Sequence, residues 1–221
     1  PFICNGMTYC YNNGATDIDG DSLVYSLATP LSNNSGGTVV YSGAYSVNNP
    51  AGGTTMFDPV TGNLCLTTAS TLVTVIAIKI SEYRNGVLVG AMSRDMQFVV
   101  VPDSTNAVPD VSFMQSPPTN NLGYPYVKIN PGQNYQLHLL ANDADVNDIL
   151  DMQAFGESFG LTVSPSSLSV NPTGNGNEIQ GTFSWTPDIS SVRSLPYLVV
   201  FRTSDNLFYH DETIQFEVTL G

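Results

Sequence analysis

The sequence predicts an all-β protein made of two tandem antiparallel β-sandwiches. Three observations predict it. Short runs rich in β-branched and aromatic residues recur at close spacing, with Gly, Pro, Asn and Ser between them. Helix-forming composition is poor: Lys is nearly absent, while turn residues are abundant. And motifs of the first half return in the same order in the second, which a duplication of one sandwich explains. A chain of 221 residues suits two domains of about 100 each. Its 42% hydrophobic content is enough for two cores.

In the first half the strand-like runs are DSLVYSL (21–27), GTVVYSG (37–43), NLCLTT (63–68), TLVTVIAIKI (71–80) and DMQFVVV (95–101). Asn85-Gly86 lies between two apolar runs and marks a hairpin, because a type I′ turn needs positive φ at both central residues. The segment 101–113 has prolines at 102 and 109 and little periodicity, so it reads as the linker. The expected modules are 1–102 and 103–221, with the linker at about 102–110. In the second half YVKINP, NYQLHLLA, ILDMQAF, LTVSPSSLSV, IQGTFSWTP, LPYLVVFRTSD and TIQFEVTL are strand candidates. Pro196 opens one of them, a position where proline is tolerated.

Charge narrows the function classes. Six basic residues face 19 acidic ones, a formal net charge of −13. Such a surface repels nucleic acid and anionic membranes and favours cations. No basic patch with interleaved aromatics is present. No run approaches the ~18–20 apolar residues of a membrane span. The chain opens on PFIC without a signal peptide and reads as a segment of something longer. Three cysteines, Cys4, Cys10 and Cys65, leave at least one thiol unpaired within the segment; a Cys4–Cys10 or a Cys10–Cys65 bridge suits an oxidising compartment. No Cys/His cluster suggests zinc.

The stretch ATDIDGDSL (15–23) places Asp17, Asp19 and Asp21 at alternate positions before a strand. Calcium takes 6–8 oxygen ligands, and short acidic loops supply several. These aspartates match the first ligand positions of an EF-hand, but the twelfth position is Ala28 and the following segment is strand, so the loop is not an EF-hand. The remaining oxygens must come from elsewhere in the chain.

The internal repeat indicates where. ATDIDGDSL has a counterpart in ANDADVNDIL (141–150), DPVTGNLCLTT (58–68) in EIQGTFSWTPD (178–188), and VIAIKISEY (75–83) in VVFRTSDN (199–206). Glu82 closes the long first-module strand, and Asp205 holds the matching place in the second. In a sandwich, the loop before one strand and the end of another meet at one pole. Carboxylates brought there repel unless a cation sits between them. The second loop offers Asn142, Asp143, Asp145, Asn147 and Asp148, without the central glycine, Gly20, of the first. Asp103, Asn106 and Asp110 are further oxygen donors near the junction. Against this stands the ordinary role of Asp and Asn as turn formers.

Other sites are weaker. His138 sits in an alternating run, and His210 neighbours Asp211 and Glu212. Neither has a nucleophile motif beside it, so a catalytic triad is unsupported, and no pair of carboxyls is marked out for glycosidase chemistry. Tyr124, Tyr126, Phe208 and Tyr209 are candidates for an exposed sugar-stacking platform; Trp185 reads as core.

NNGATDIDGDSLVYSLATPL, YSVNNP, FDPVTGNLCLT and SEYRNGVLVGAMSRDMQFVVV, in that order, resemble a module repeated in very large secreted surface proteins of Bacteroidetes. Many of those proteins end in a gliding-motility-associated sorting domain and leave by the type IX system. The resemblance covers about residues 3–101. The second half is similar, more loosely, to cadherin-like and immunoglobulin-like repeats. It implies a non-enzymatic, calcium-stabilised array of extracellular sandwiches in an adhesin or surface filament. Its partners would be neighbouring modules and surface glycans or proteins. The metal ligands implied are Asp17, Asp19, Asp21 and Glu82 in the first module, and Asp143, Asp145 and Asp205 in the second. Family members often carry a cysteine near Lys79 or Ala28, which this chain lacks; Cys10–Cys65 is the expected pair here. A carbohydrate-binding region of a glycan-degrading system is the alternative.

Overall fold

The computed structural model describes residues 1–17, 19–32, 36–102 and 106–221. They fall into two units, Pro1–Asn13 with Asp21–Val108, and Gly14–Gly20 with Pro109–Gly221. The first unit holds β1 (Phe2–Cys4), β2 (Thr8–Asn12), β3 (Ser22–Ala28), β4 (Thr54–Phe57), β5 (Asn63–Thr67), β6 (Val73–Arg84) and β7 (Val87–Val101). They form one sheet in the order β1-β7-β6-β3 and another in the order β2-β5-β4. β1 runs parallel to β7; the other pairs are antiparallel.

Alternation decides which side chains enter the core. On β5, Leu64 and Leu66 are buried between half-exposed neighbours. On β6, Ile76, Ile78 and Ile80 are buried, and so is Ala77 between the first two. Phe98 of β7 meets Tyr9 and Tyr11 of β2 edge-on, at 6.0 and 6.4 Å between ring centres. Fully burying an apolar side chain of this size contributes about 1.5–3 kcal/mol. Cys10 and Cys65 lie opposite each other on β2 and β5 and are joined by a disulfide. Cys4 is a buried free thiol. Asn85 and Gly86 have φ of 52° and 78°, the two positive values a type I′ turn requires.

One expected strand fails. Residues 37–43 make only an isolated bridge, Thr38 to Leu31, and Val40 is exposed. Gly37 and Val39 bond to nearby Ser32 and Pro30, and no described strand runs alongside to extend a ladder. The short strands β1, β2 and β4 are not marked by the sequence pattern.

The second unit holds β8 (Asp110–Phe113), β9 (Tyr126–Ile129), β10 (Tyr135–Asn142), β11 (Asp151–Gly156), β12 (Ser167–Pro172), β13 (Glu178–Trp185), β14 (Tyr197–Ser204) and β15 (Tyr209–Val218). Its sheets run β12-β13-β10-β8 and β11-β14-β15-β9. β8 arises from the segment read as linker: it pairs with β10, Val111 opposite Ala141, and Val111 is buried. Phe183 stacks on Phe216 at 5.0 Å and meets Phe201 edge-on at 5.8 Å, tying the two sheets together. Trp185 is core as expected, and its indole N–H donates to the Ser164 carbonyl at 2.9 Å.

The two sandwiches share one strand plan. β7-β6-β3 corresponds to β15-β14-β11, and β2-β5-β4 to β10-β13-β12. Each also has a short strand parallel to the last one, β1 on β7 and β9 on β15. This equivalence places the acids that the repeat matches on equivalent strands. The loop at 15–21 leads into β3, whose Leu23 faces Glu82 of β6. The loop at 143–150 leads into β11, whose Asp151 faces Ser204, next to Asp205.

Candidate metal centre

In the second unit, the loop after β10 is shaped by its own aspartates. The Asp145 N–H donates to Asp143 Oδ1 at 2.8 Å, and the Asp148 N–H to the Asp145 carbonyl at 3.1 Å. Such local bonds are the reason Asp favours turns. Asn177, in the turn between β12 and β13, clamps the loop from the side. Its carbonyl accepts the Asp143 N–H at 3.0 Å, and its side-chain amide donates to the Asp143 carbonyl. From the other sheet comes Asp205, whose Oδ1 accepts the N–H groups of Leu207 and Phe208 at 2.8 and 2.7 Å.

These bonds fix the backbone and leave carboxylate oxygens converging. Asp143, Asp145 and Asp148 each offer an oxygen within 4.8 Å of the others. Asp143 is only 6% exposed, and its Oδ2 is buried without a hydrogen-bond partner. Asp148 Oδ2 is likewise buried and unpartnered. Burial pushes the Asp143 carboxyl above the usual carboxylate range, and Asp205, Asp148 and Asp145 add to the push. Burial raises Asp148 too, with Asp205 and Asp145 contributing. A buried acceptor without a donor costs stability, and more so when charged. A hard cation with oxygen ligands satisfies both requirements at once.

The second-unit basic side chains are engaged with other acids. Lys128 pairs with Glu217 at 2.8 Å, Arg193 with Glu157 at 2.6 Å, and Arg202 with Asp211 at 2.7 Å. Arg193 also lies 3.6 Å above the Tyr197 ring, and Arg202 4.1 Å above that of Tyr209.

The first unit differs. Asp21 and Glu82 again bring carboxylate oxygens within 4.8 Å. But the guanidinium of Arg84 grips Asp21: Nε lies 3.1 and 2.9 Å from its two oxygens, and Nη2 2.6 Å from Oδ2. Arg84 thereby holds the Asp21 carboxyl below its usual range. Asp17 and Asp19 belong to the segment Gly14–Gly20, which groups with the second unit. Asp19 is exposed and joins no acidic group of three among the described residues.

The remaining predicted donors are scattered. Asn142 lies exposed on β10 opposite Asp110 and Glu178; Asn147 is exposed; Asn106 is half-buried. Asp103 lies outside the described residues. His138 is an exposed strand residue within 3.2 Å of the Thr182 hydroxyl. His210 is held below its usual range by burial. The aromatic platform does not form as expected: Phe208 is fully buried, because its backbone is tied to Asp205 and its ring turns inward. Tyr126 is half-buried and its hydroxyl donates to Glu217 at 2.7 Å. Asn177 and Arg84 had no signal in the sequence: one is a turn asparagine, the other an arginine beside a hairpin.

No family model and no curated protein matches the chain. Among solved structures it is similar to an endo-fucoidan hydrolase of glycoside hydrolase family 107, at 15% identity and a TM-score of 0.30. The match covers 99% of this chain and 28% of that one. It is also similar to the D1-D2 region of Rst, at 9% identity and a TM-score of 0.31, covering 99% and 95%. The chain thus spans little more than a quarter of the hydrolase. Likeness at this level carries no function, and the fold is defined by the strand order itself: two tandem antiparallel β-sandwiches.

Proposed function

We propose that the chain is a non-catalytic, structural and adhesive segment of a large secreted cell-surface protein, stabilised by calcium. The observation that carries the metal is the buried, unpartnered Oδ2 of Asp143 among the Asp145 and Asp148 carboxylates. Asp143, Asp145, Asp148 and Asp205 would hold the ion, and the ion would lock the loop before β11 to the end of β14. One disulfide and a strongly acidic surface support an extracellular setting. Neighbouring modules of the same chain are its first partners, with surface glycans or proteins beyond them.

Thermal unfolding with calcium and with chelator tests the metal, because a ligand that binds only the native state raises its stability. The reading expects a higher unfolding temperature in calcium and calcium in elemental analysis of the purified chain. No shift together with no metal would remove it.

A further inference from the structure

We infer that the chain takes one calcium ion, not two, because Arg84 fills in the first sandwich the place that a metal fills in the second. This rests on the calcium reading above and deepens it.

The two sandwiches share a strand plan, and the matched acids stand at like places in it: Glu82 near the end of β6 with Asp21 just before β3, and Asp205 just beyond β14 with Asp143, Asp145 and Asp148 in the loop before β11. At one matched position the first sandwich has a basic side chain and the second an apolar one. Counting from the matched acids, the residue two places after Glu82 is Arg84, and two places after Asp205 is Leu207. Arg84 delivers three close contacts to the two oxygens of Asp21. A planar guanidinium meets a carboxylate in this forked fashion and needs no further counter-ion. Leu207 is apolar and 46% exposed, so it neutralises nothing.

The oxygens reflect this. In the first sandwich both Asp21 oxygens are hydrogen-bonded. In the second, Asp143 Oδ2 and Asp148 Oδ2 are buried and unpartnered, and the groups acting on those carboxyls through space are other aspartates. Calcium would have to displace a positively charged, covalently tethered group in the first sandwich. In the second, Lys128, Arg193 and Arg202 are paired with Glu217, Glu157 and Asp211, and the buried Oδ2 atoms of Asp143 and Asp148 stand open to an ion. The tethered arginine is always present, so the first sandwich is insensitive to calcium depletion and the second is not.

Calcium titration calorimetry on the full chain tests this, with Asp143→Asn, Asp21→Asn and Arg84→Gln beside it. The expected stoichiometry is one for the native chain, none for Asp143→Asn, one for Asp21→Asn, and two for Arg84→Gln, the second ion weaker. Two ions on the native chain would overturn the inference and leave calcium binding intact. Loss of the single ion in Asp21→Asn would overturn it by placing that ion in the first sandwich. A stoichiometry of one with either arginine or glutamine at position 84 would overturn the arginine's role. No ion on the native chain would remove the calcium reading itself. Asp21→Asn and the native chain decide the matter even where Arg84→Gln does not fold.

Discussion

Asp143→Asn is expected to change sign with calcium. The substitution keeps an oxygen to accept the Asp145 N–H now bound at 2.8 Å, so the loop retains its shape. It removes one negative charge from a group whose carboxylates lie within 4.8 Å. At that distance two unit charges repel by about 3.5 kcal/mol at an effective dielectric of about 20. Salt and proton uptake reduce the relief, so in chelator the variant should be about 1 kcal/mol more stable than the native chain. In calcium the order reverses. At calcium a hundredfold above its dissociation constant, the native chain gains about 2.7 kcal/mol that the variant cannot. That corresponds to a shift of about 10 °C in the unfolding of a sandwich this size. Differential scanning calorimetry under both conditions reads the crossing. A variant destabilised by the same amount with and without calcium would make Asp143 an ordinary structural aspartate and not a metal ligand.

Other substitutions test the frame. Replacing both Cys10 and Cys65 by Ser opens a bridge closing 55 residues of sequence and should cost about 4 kcal/mol in urea unfolding. Phe183→Ala removes a ring with no exposure that touches Phe216, Phe201 and Phe159, and should cost about 3–5 kcal/mol by the same measurement. Burial, with Asp110 adding to it, pushes the Glu212 carboxyl up from 4.5 to about 7. The folded state therefore holds that proton more tightly. Its contribution is full below pH 4.5 and is lost as pH rises toward 7. Glu212→Gln should flatten this part of the stability profile and gain at most about 3 kcal/mol at pH 8. His210 opposes it: its pKa is lowered by burial, so its contribution is present above pH 6.5 and lost as pH falls, and the variant comparison isolates Glu212.

Much of the frame was legible because period-two alternation and turn chemistry are local signals. β5, β6, β10, β13 and β14 follow runs such as NLCLTT and NYQLHLLA closely, and Asn85-Gly86 turns as its φ preferences demand. Internal repetition carried more than any single motif, since it aligned Glu82 with Asp205 through equivalent strands β6 and β14. What escaped was non-local. Residues 37–43 have strand composition but lack a partner strand. Asp110–Phe113 have linker composition but find a partner in β10. Phe208 looks exposed in LFYHDE, yet hydrogen bonds to Asp205 turn it inward. At the acidic poles, spacing pointed to the aspartates, whereas the grip of Arg84 on Asp21 depends on how a hairpin and a loop meet across sixty-three residues. Asn177, which shapes the second loop, is thirty-four residues from its partner Asp143.

A crystal grown in calcium, with anomalous scattering recorded at long wavelength, locates any bound calcium ion. A calcium peak bonded to oxygens of Asp143, Asp145, Asp148 and Asp205 is expected, with Arg84 still on Asp21 and no peak beside it. A map with no peak among those four aspartates at saturating calcium would contradict the calcium assignment.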